Sequence, residues 1–521
     1  MSLEKNKRIA KNTMMLYIRM LLIMVVSLFT VRVVLNTLGD VDYGIYNVVG
    51  GIVVMFNFLS GTMSSASLRF FAFELGRKDY QKLKHIFNLT FLMYTVLAVL
   101  VLVVAQTVGL WFLNTQMNIP AERLSAANWV YQFSIFSFIL TIMTLPYNAI
   151  IIARENMKVF AYVSIVEALL RLLIVYLLLL FPVDKLKLYS VLMFSVVCIV
   201  TFIYRTICSR NYPECKLSFF WDKDQFKTLI SFSGWNMFGA LSGMLKNQGL
   251  NILLNLFFGP VVNAARGIAY QLSARINEFV MNFSRAINPQ ITKYYAANEK
   301  NNMHNLVFRG SKFAYFLLFF VSMPLVLETS FILTLWLGNL PEYTILFTRL
   351  IIALALVDSL SYALMTAAQA TGKIRNYQIV VGSILLLNIP ASYVLLRAGH
   401  PPQVTMYVAI TTATICLILR VYMLQRMIDL SFWGFMRSVI LSVITVSGLA
   451  YIPPIAVMSF MPNGFLRFLM VCISGGTSSL ITIYFLGFSS KERTFLTVMV
   501  KNKLLKRSKP QSKRESVSVK S

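Results

Sequence analysis

Phe91-Leu92-Met93-Tyr94-Thr95-Val96-Leu97-Ala98-Val99-Leu100-Val101-Leu102-Val103-Val104-Ala105 is a charge-free apolar run, set inside a longer segment near residues 86–113 that also lacks charge. A helix rises 1.5 Å per residue, so about 20 apolar residues cross the hydrocarbon core of a bilayer. This run therefore predicts a membrane-spanning helix. It has thirteen companions, so that spans are expected near 13–38, 43–73, 86–113, 126–153, 159–181, 188–208, 228–258, 260–292, 313–337, 343–372, 376–396, 403–425, 434–460 and 464–488. We number them spans 1 to 14. A transmembrane β-barrel would instead show alternating stretches of about ten residues.

Composition agrees. The chain has 521 residues, of which 57% are hydrophobic and only 13% charged. Its mean hydropathy is +0.69. Soluble domains carry about 25% charged residues.

The net charge of +28 would point to nucleic acid in a soluble protein. Placement excludes that partner here. With the N-terminus inside, the inner connections and the C-terminal tail hold 34 of the 48 lysines and arginines. The outer connections hold only Arg123, Lys185, Lys187, Arg397 and Arg467. This is the positive-inside pattern, and it predicts that both termini are cytoplasmic. The first apolar stretch is too long for a cleavable signal and lacks a small-residue cleavage site, so span 1 is expected to act as its own insertion signal. The five cysteines show no CxxC spacing and read as small apolar filler.

No connection is long enough for a soluble catalytic domain. The longest inner loops are expected near 209–227 and 293–312. The tail, residues 491–521, is rich in Lys, Arg and Ser and is expected to be disordered and close to anionic lipid.

The chain repeats. Span 1 closes on Leu35-Asn36-Thr37-Leu38-Gly39, and span 7 on Leu254-Asn255-Leu256-Phe257-Phe258-Gly259. Span 4 closes on Ala153-Arg154-Glu155-Asn156, and span 10 on Ala370-Thr371-Gly372-Lys373. Both correspondences are about 220 residues apart. Six spans per half make the halves parallel, a plan that places a substrate path between them. The expected organisation is 1–215 (spans 1–6), 216–430 (spans 7–12), 431–490 (spans 13 and 14) and the tail.

Topology leaves nine basic residues inside spans: Arg19, Arg32, Arg69, Arg171, Lys246, Arg266, Arg275, Arg285 and Arg349. A charge at mid-bilayer costs about 2.5–3.5 kcal/mol on insertion scales, so it faces a wet cavity or a partner. The accompanying acids are Glu167, Glu278, Glu328 and Asp358. The interior is cationic on balance and suits an anionic substrate.

On span 8, Arg275, Glu278, Asn282 and Arg285 fall on one helical face. Such a face lines a pore, or Glu278 neutralises an arginine in packing. Arg266 either reaches the cavity or snorkels to the outer headgroups. Asn247, Asn251 and Asn255 form a ladder on span 7 beside Lys246. It can bond sugar hydroxyls or join helices, and Gly239 and Gly243 favour close packing. Arg69 and Arg32 would face span 8 from spans 2 and 1, with snorkelling the rival role for Arg69 and for Arg19. Glu167 and Arg171 pair at i, i+4. Asp358 has no local base and is a candidate proton or ion site, as is Glu278. Glu328 is a weaker one.

Walker A, GxGxxG, HExxH and GxSxG patterns are missing, and the three histidines are unclustered. No cofactor, metal or enzymatic chemistry is expected. Transport would then draw on an ion gradient, membrane potential or substrate gradient.

Leu38-Gly39-Asp40-Val41-Asp42-Tyr43-Gly44-Ile45-Tyr46, Ser67-Leu68-Arg69-Phe70 and Gly259-Pro260-Val261-Val262-Asn263-Ala264-Ala265-Arg266-Gly267 resemble segments of bacterial polysaccharide flippases. These belong to the multidrug/oligosaccharidyl-lipid/polysaccharide exporter superfamily. The resemblance covers about residues 5–490. It implies an all-α membrane fold of two six-helix lobes in a V around a central cavity, with two appended helices. It implies movement of undecaprenyl-pyrophosphate-linked oligosaccharide across the bacterial inner membrane, with a polysaccharide polymerase and chain-length machinery as partners. Arg275, Arg285, Lys246, Arg69, Arg32, Arg266 and Asn251 would meet the substrate, and Asp358 or Glu278 would couple ions. A peptidoglycan-precursor flippase and a multidrug exporter share the fold. A membrane polymerase would need a large outer loop.

Overall fold

In hydrocarbon every backbone N–H and C=O must find a partner within its own segment, so charge-free apolar runs become helices. The computed structural model describes residues 3–494, apart from 55, 56, 116, 118, 219, 339 and 491, part of the side chains before residue 60 and that of residue 260. The tail beyond lies outside the described residues, as does its expected disorder. Among the described residues there is no strand.

Ten helices are long and apolar enough to cross a membrane: Tyr80–Thr115, Ala121–Ala153, Met157–Leu180, Lys185–Asn211, Lys300–Leu327, Thr344–Ala370, Arg375–Arg397, Val404–Ile428, Phe432–Phe460 and Phe465–Gly487. They correspond to spans 3–6 and 9–14. The other four segments are helical but outside that set. Leu3–Val54 holds span 1 up to a break at Gly39 and the first part of span 2, whose remainder is Asn57–Arg77. Spans 7 and 8 are Lys223–Phe258 and Pro260–Ala296. Serine, asparagine and charge recur along these four. Two boundaries move. Span 9 starts at Lys300, so the loop expected near 293–312 shrinks to a tight turn around Asn298. The loop near 209–227 contains a helical turn, Pro213–Cys215, whose Glu214 pairs with Arg154 at 2.6 Å.

The repeat is visible in the backbone. Gly39 (φ 77°, ψ 169°) and Gly259 (φ 77°, ψ −170°) break the chain in the same way. Extended ψ at positive φ is nearly confined to glycine, because a Cβ would clash there. Lys78 (φ 61°) and Asn298 (φ 58°) are left-handed. So are Glu155 (φ 60°) and Gly372 (φ 76°). These turn residues let the following N–H groups return to the last carbonyls of the helix. After Lys78, Asp79 N–H donates to the Glu74 oxygen at 3.1 Å; after Asn298, Glu299 N–H donates to the Tyr294 oxygen at 2.9 Å.

Buried apolar residues gather in two large groups. One includes Val34, Phe71, Phe87, Ile150, Leu178 and Tyr204 from spans 1–6. The other includes Ile291, Leu306, Leu364, Tyr377, Cys416 and Val446 from spans 8–13. Helices in lipid associate by close packing rather than by a hydrophobic drive. Gly239 and Gly249 of span 7 meet that need, lying against Gln378 and Ile389 of span 11. Gly243, expected to share that role, has open space beside it.

Spans 13 and 14 are held to span 9 at both ends. Glu328, at the end of span 9, accepts a two-pronged bond from Arg467 at 2.7 and 2.8 Å. At the opposite end Glu492 pairs with Arg309 at 3.0 Å and Lys312 at 3.3 Å. Midway, Tyr315 and Ser447 share a bond of 2.9 Å. Glu328 is thus committed to an ion pair, which explains how an acid sits buried there.

Candidate functional site

Span 8 carries three of the nine intramembrane bases. Its residues face two ways. Arg275 and Glu278 are 3.5 Å apart, with side chains 72% and 48% exposed. At that length and exposure the pair is weak. Arg285 is also exposed, on the same helical side, with no carboxylate at ion-pair distance among the described residues. Asn282, expected on the same polar face, is buried against Met20 of span 1, its amide 3.2 Å from the sulfur. Nearby, Tyr17 of span 1 donates to the Phe279 carbonyl at 3.2 Å. Span 8 therefore packs on span 1 through Phe279 and Asn282 and leaves Arg275, Glu278 and Arg285 open.

Arg266 sits on the opposite half of span 8 and is only 2% exposed. Its guanidinium bonds the side-chain oxygen of Asn251 and lies 4.5 Å over the ring of Tyr270. Tyr270 donates to Asn247 at 3.3 Å, and Asn263 to the Asn251 carbonyl at 3.0 Å. Asn251 also donates to Gln248 at 3.2 Å. A snorkelling arginine would be exposed at its head, and this one is not. The asparagine ladder of span 7 binds span 8 and solvates a buried cation. The Asn251 amide oxygen gives the guanidinium an acceptor without cancelling its charge.

Lys246, one helical turn before Gly249, is 7% exposed. Within its electrostatic reach are Asp358 of span 10, Cys416 and Arg420 of span 12 and Arg266 of span 8. Arg420, near the inner end of the span expected at 403–425, is buried inside its helix. Asp358 thus shares the C-terminal half with two cations, neither of them on its own helix.

Arg69 is engaged elsewhere. Its Nε and Nη2 donate to the carbonyls of Gln369 and Ala370 at 3.2 and 3.0 Å. The guanidinium lies over Phe70, Phe73 and Phe232, the nearest centroid at 4.6 Å. The side chain of Arg32 lies outside the described residues. Arg19 stacks over Phe160 at 4.6 Å. Arg349 donates to the Val326 carbonyl at 3.1 Å. Arg171 pairs with Glu167 at 2.7 Å, as the i, i+4 spacing predicts.

The structure thus brings Arg266, Asn251 and Tyr270 together, and sets Lys246 within electrostatic reach of Asp358 without an ion pair between them. It sets Arg275, Glu278 and Arg285 along one open side of span 8. Three acids lie beyond the reach of the sequence-based list. Glu155 is clamped by span 8. Asp42 and Asp184 hold Arg123 between them, the latter at 3.0 Å, and so tie three outer connections of the first half. Glu155 has a signal in the sequence in the repeated closing motif, and Asp42 lies in the Leu38–Tyr46 segment, whereas Asp184 has neither. Among the described residues no cluster of His, Cys, Asp and Glu could hold a metal ion, and the cysteines are unpaired.

Solved transporters share this arrangement of helices. An outward-facing multidrug resistance MATE family transporter of the MOP superfamily matches with a TM-score of 0.67 and 11% identity over 83% of this chain and 96% of its own. The Vibrio cholerae MATE transporter VcmN in its bent form matches at 0.65, with 14% identity over 82% and 98%. The MATE multidrug transporter DinF-BH matches at 0.59, with 18% identity over 81% and 95%. At these identities the likeness concerns the fold. A comparison with the curated proteins finds no match. The family model described as polysaccharide biosynthesis protein matches residues 9–295. A multi-pass helical membrane protein with the MATE fold, matched over more than half its length by that model, the chain belongs to the polysaccharide biosynthesis protein family.

Proposed function

We propose that the chain is a flippase that moves undecaprenyl-pyrophosphate-linked oligosaccharide across the bacterial inner membrane by alternating access between two lobes. The observation that carries this is the exposed pair Arg275 and Arg285 on span 8, a cationic side that has one exposed acid, Glu278. A pyrophosphate esterified at both ends is a compact dianion, and guanidinium groups bind phosphate oxygens in pairs. Lys246, Arg266 with Asn251, and Arg32 add positive potential along spans 1, 7 and 8. The lipid tail stays in the bilayer while the head group enters between the lobes.

The lobes are residues 1–215 and 216–430, with spans 13 and 14 moving with the second through their pins to span 9. The basic end of the bundle faces the cytoplasm, following the positive-inside distribution. Asp358, beside Lys246 and Arg420, takes up the coupling ion, a proton or sodium. A charge change there alters the field at Lys246 and so links ion binding to the cationic path. Polymerase and chain-length proteins would receive the flipped unit.

A second reading, multidrug export, has the names of the structural neighbours in its favour. A cationic drug would meet like charge along span 8, which costs binding energy. Deletion of the gene should make lipid-linked oligosaccharide accumulate on the cytoplasmic side. Arg275→Ala and Arg285→Ala, at normal expression, should each reproduce part of that accumulation. Full flipping in both variants would remove the proposal, and drug sensitivity without glycan accumulation would favour export.

A further inference from the structure

At the basic end, five spans meet in two contacts that mirror each other across the repeat. Span 4 ends at the left-handed Glu155, where Asn156 N–H returns to the Ile151 carbonyl at 3.0 Å. The Glu155 carboxylate is 1% exposed. It accepts from Gln290 at 2.7 Å and from Lys293, both on span 8 and three residues apart on one face. The Glu155 carbonyl accepts from Asn12 of span 1 at 3.1 Å.

Span 10 ends at the left-handed Gly372. Here the last carbonyls of the helix, at Gln369 and Ala370, accept from Arg69 of span 2. A Cβ at Gly372 would lie 2.6 Å from the Arg69 guanidinium, so glycine also makes room for the arginine. Residues 155 and 372 correspond in the repeat, and residue 69 corresponds to the neighbourhood of 290. In each contact a donor from span 2 or its image, span 8, reaches the end of span 4 or span 10 in the opposite half. The chemistry differs: one contact uses a carboxylate, the other bare carbonyls and aromatic faces. Between them Gly76 of span 2 lies against the Lys293 carbonyl and Ala296 of span 8, at 2.7 and 2.8 Å from a Cβ built there, and Phe73 meets Tyr295 with centroids 6.3 Å apart.

We propose that Glu155 with Gln290 and Lys293, and Arg69 with the end of span 10, are two latches that hold the basic end shut and must both open before the path can be reached from that side. This rests on the alternating-access reading of the function. A shut end needs contacts between halves that are strong when made and lost as a set. Removing one partner of a buried ion pair leaves the other charge without compensation. A hydrogen bond to a charged group shifts an equilibrium by about tenfold or more. Two latches at opposite sides of the seam stop the halves from pivoting on either one.

The test is cysteine accessibility. In a protein whose native cysteines are replaced, a single cysteine is placed by Ala274→Cys, on the exposed side of span 8 and deeper than both latches. Its reaction with a membrane-impermeant maleimide is followed in vesicles of both orientations. With the latches intact, labelling from the basic end should be slow. Glu155→Gln should raise the rate about tenfold, Arg69→Gln by a similar factor, and the two together by more than either. The exchange Glu155→Lys with Lys293→Glu should return the rate close to the starting value, which also shows that the fold survives. Unchanged labelling in the double variant, or an exchange variant that labels as fast as Glu155→Gln, would overturn the latches. The readout needs no glycan. Faster labelling in a strain where deletion gives no lipid-linked oligosaccharide would keep the latches and remove the substrate assignment. Unchanged labelling with normal flipping would do the reverse.

Discussion

At Gly39 and at Gly259 the chain turns from one helix into the next with nearly the same dihedral angles, yet the side chains on either side of those turns have diverged. In spans 7 and 8, Lys246, Arg266, Arg275 and Arg285 are all within the membrane segment. In span 2 the corresponding base is Arg69, and it is consumed by backbone carbonyls of span 10. The two halves share a backbone break, while the open charges Arg275 and Arg285 lie in the second. Backbone breaks are hard to replace because only glycine fits that conformation, whereas a side chain on an exposed face can change at little structural cost.

The comparison breaks most visibly at the exposed charges. Arg275→Ala with Arg285→Ala should slow flipping about a hundredfold if each guanidinium contributes about tenfold to holding the pyrophosphate. Arg171→Ala, which loses only a pair with Glu167 on its own helix, should stay within about twofold, as exposed pairs contribute little. Equal losses in both would mean that intramembrane charge matters only for insertion. Accumulated lipid-linked oligosaccharide and the protein level in membranes separate the two.

Asp358→Asn should come next. It removes the carboxylate from beside Lys246 and Arg420 and should cut gradient-driven transport about tenfold while leaving substrate binding in place. Transport that still follows an imposed ion gradient would move the coupling site elsewhere. The matched pair Gly39→Ala and Gly259→Ala measures the repeat itself. Each should cost about 2 kcal/mol, read as a fall in the thermal unfolding midpoint, because alanine must adopt a conformation nearly reserved for glycine. A large cost at one position and none at the other would mean that only one break is structurally required.

The smallest effect is at the entry to span 7. Asp222 caps that helix by accepting from the backbone N–H groups of Asp224 and Gln225, each at 3.0 Å. The Gln225 N–H is the main cause that holds its carboxyl below the ordinary range. A lowered pKa means that the cap contributes above the unfolded value, about 4, and is lost as pH falls through the folded one. Asp222→Ala should therefore lower the unfolding midpoint slightly at neutral pH and flatten its decline under acid conditions.

Residues differ in how much of their role is legible along the chain. The apolar run at 91–105 needs no tertiary information to be read as a span, because a bilayer accepts only self-satisfied backbone. The same holds for the i, i+4 pair of Glu167 and Arg171, whose partners share one helix. Glu328 reads from sequence as a weak candidate ion site. Its partner Arg467 is 139 residues away, and nothing local connects them. Hydropathy does not choose between snorkelling and burial for Arg266 for a similar reason, since the Asn251 that solvates it is on another helix. Span 9 starts earlier than its hydropathy indicates, because polar residues 300–312 continue the helix beyond the apolar part.

That the chain is a bundle of membrane helices, that its basic connections lie at one end, and that a motif recurs after about 220 residues are all written in the order of its amino acids. These follow from terms that act along the chain: transfer of apolar side chains into lipid, the cost of burying charge, and the conformational range of glycine. Which intramembrane charges are open, which are solvated by a neighbouring helix and which are held by the opposite half is settled by the packing of the helices. Those outcomes depend on distances of about 3 Å between helices far apart in sequence, and hydrogen bonding at that range is what sets the state of a charge in a low-dielectric interior.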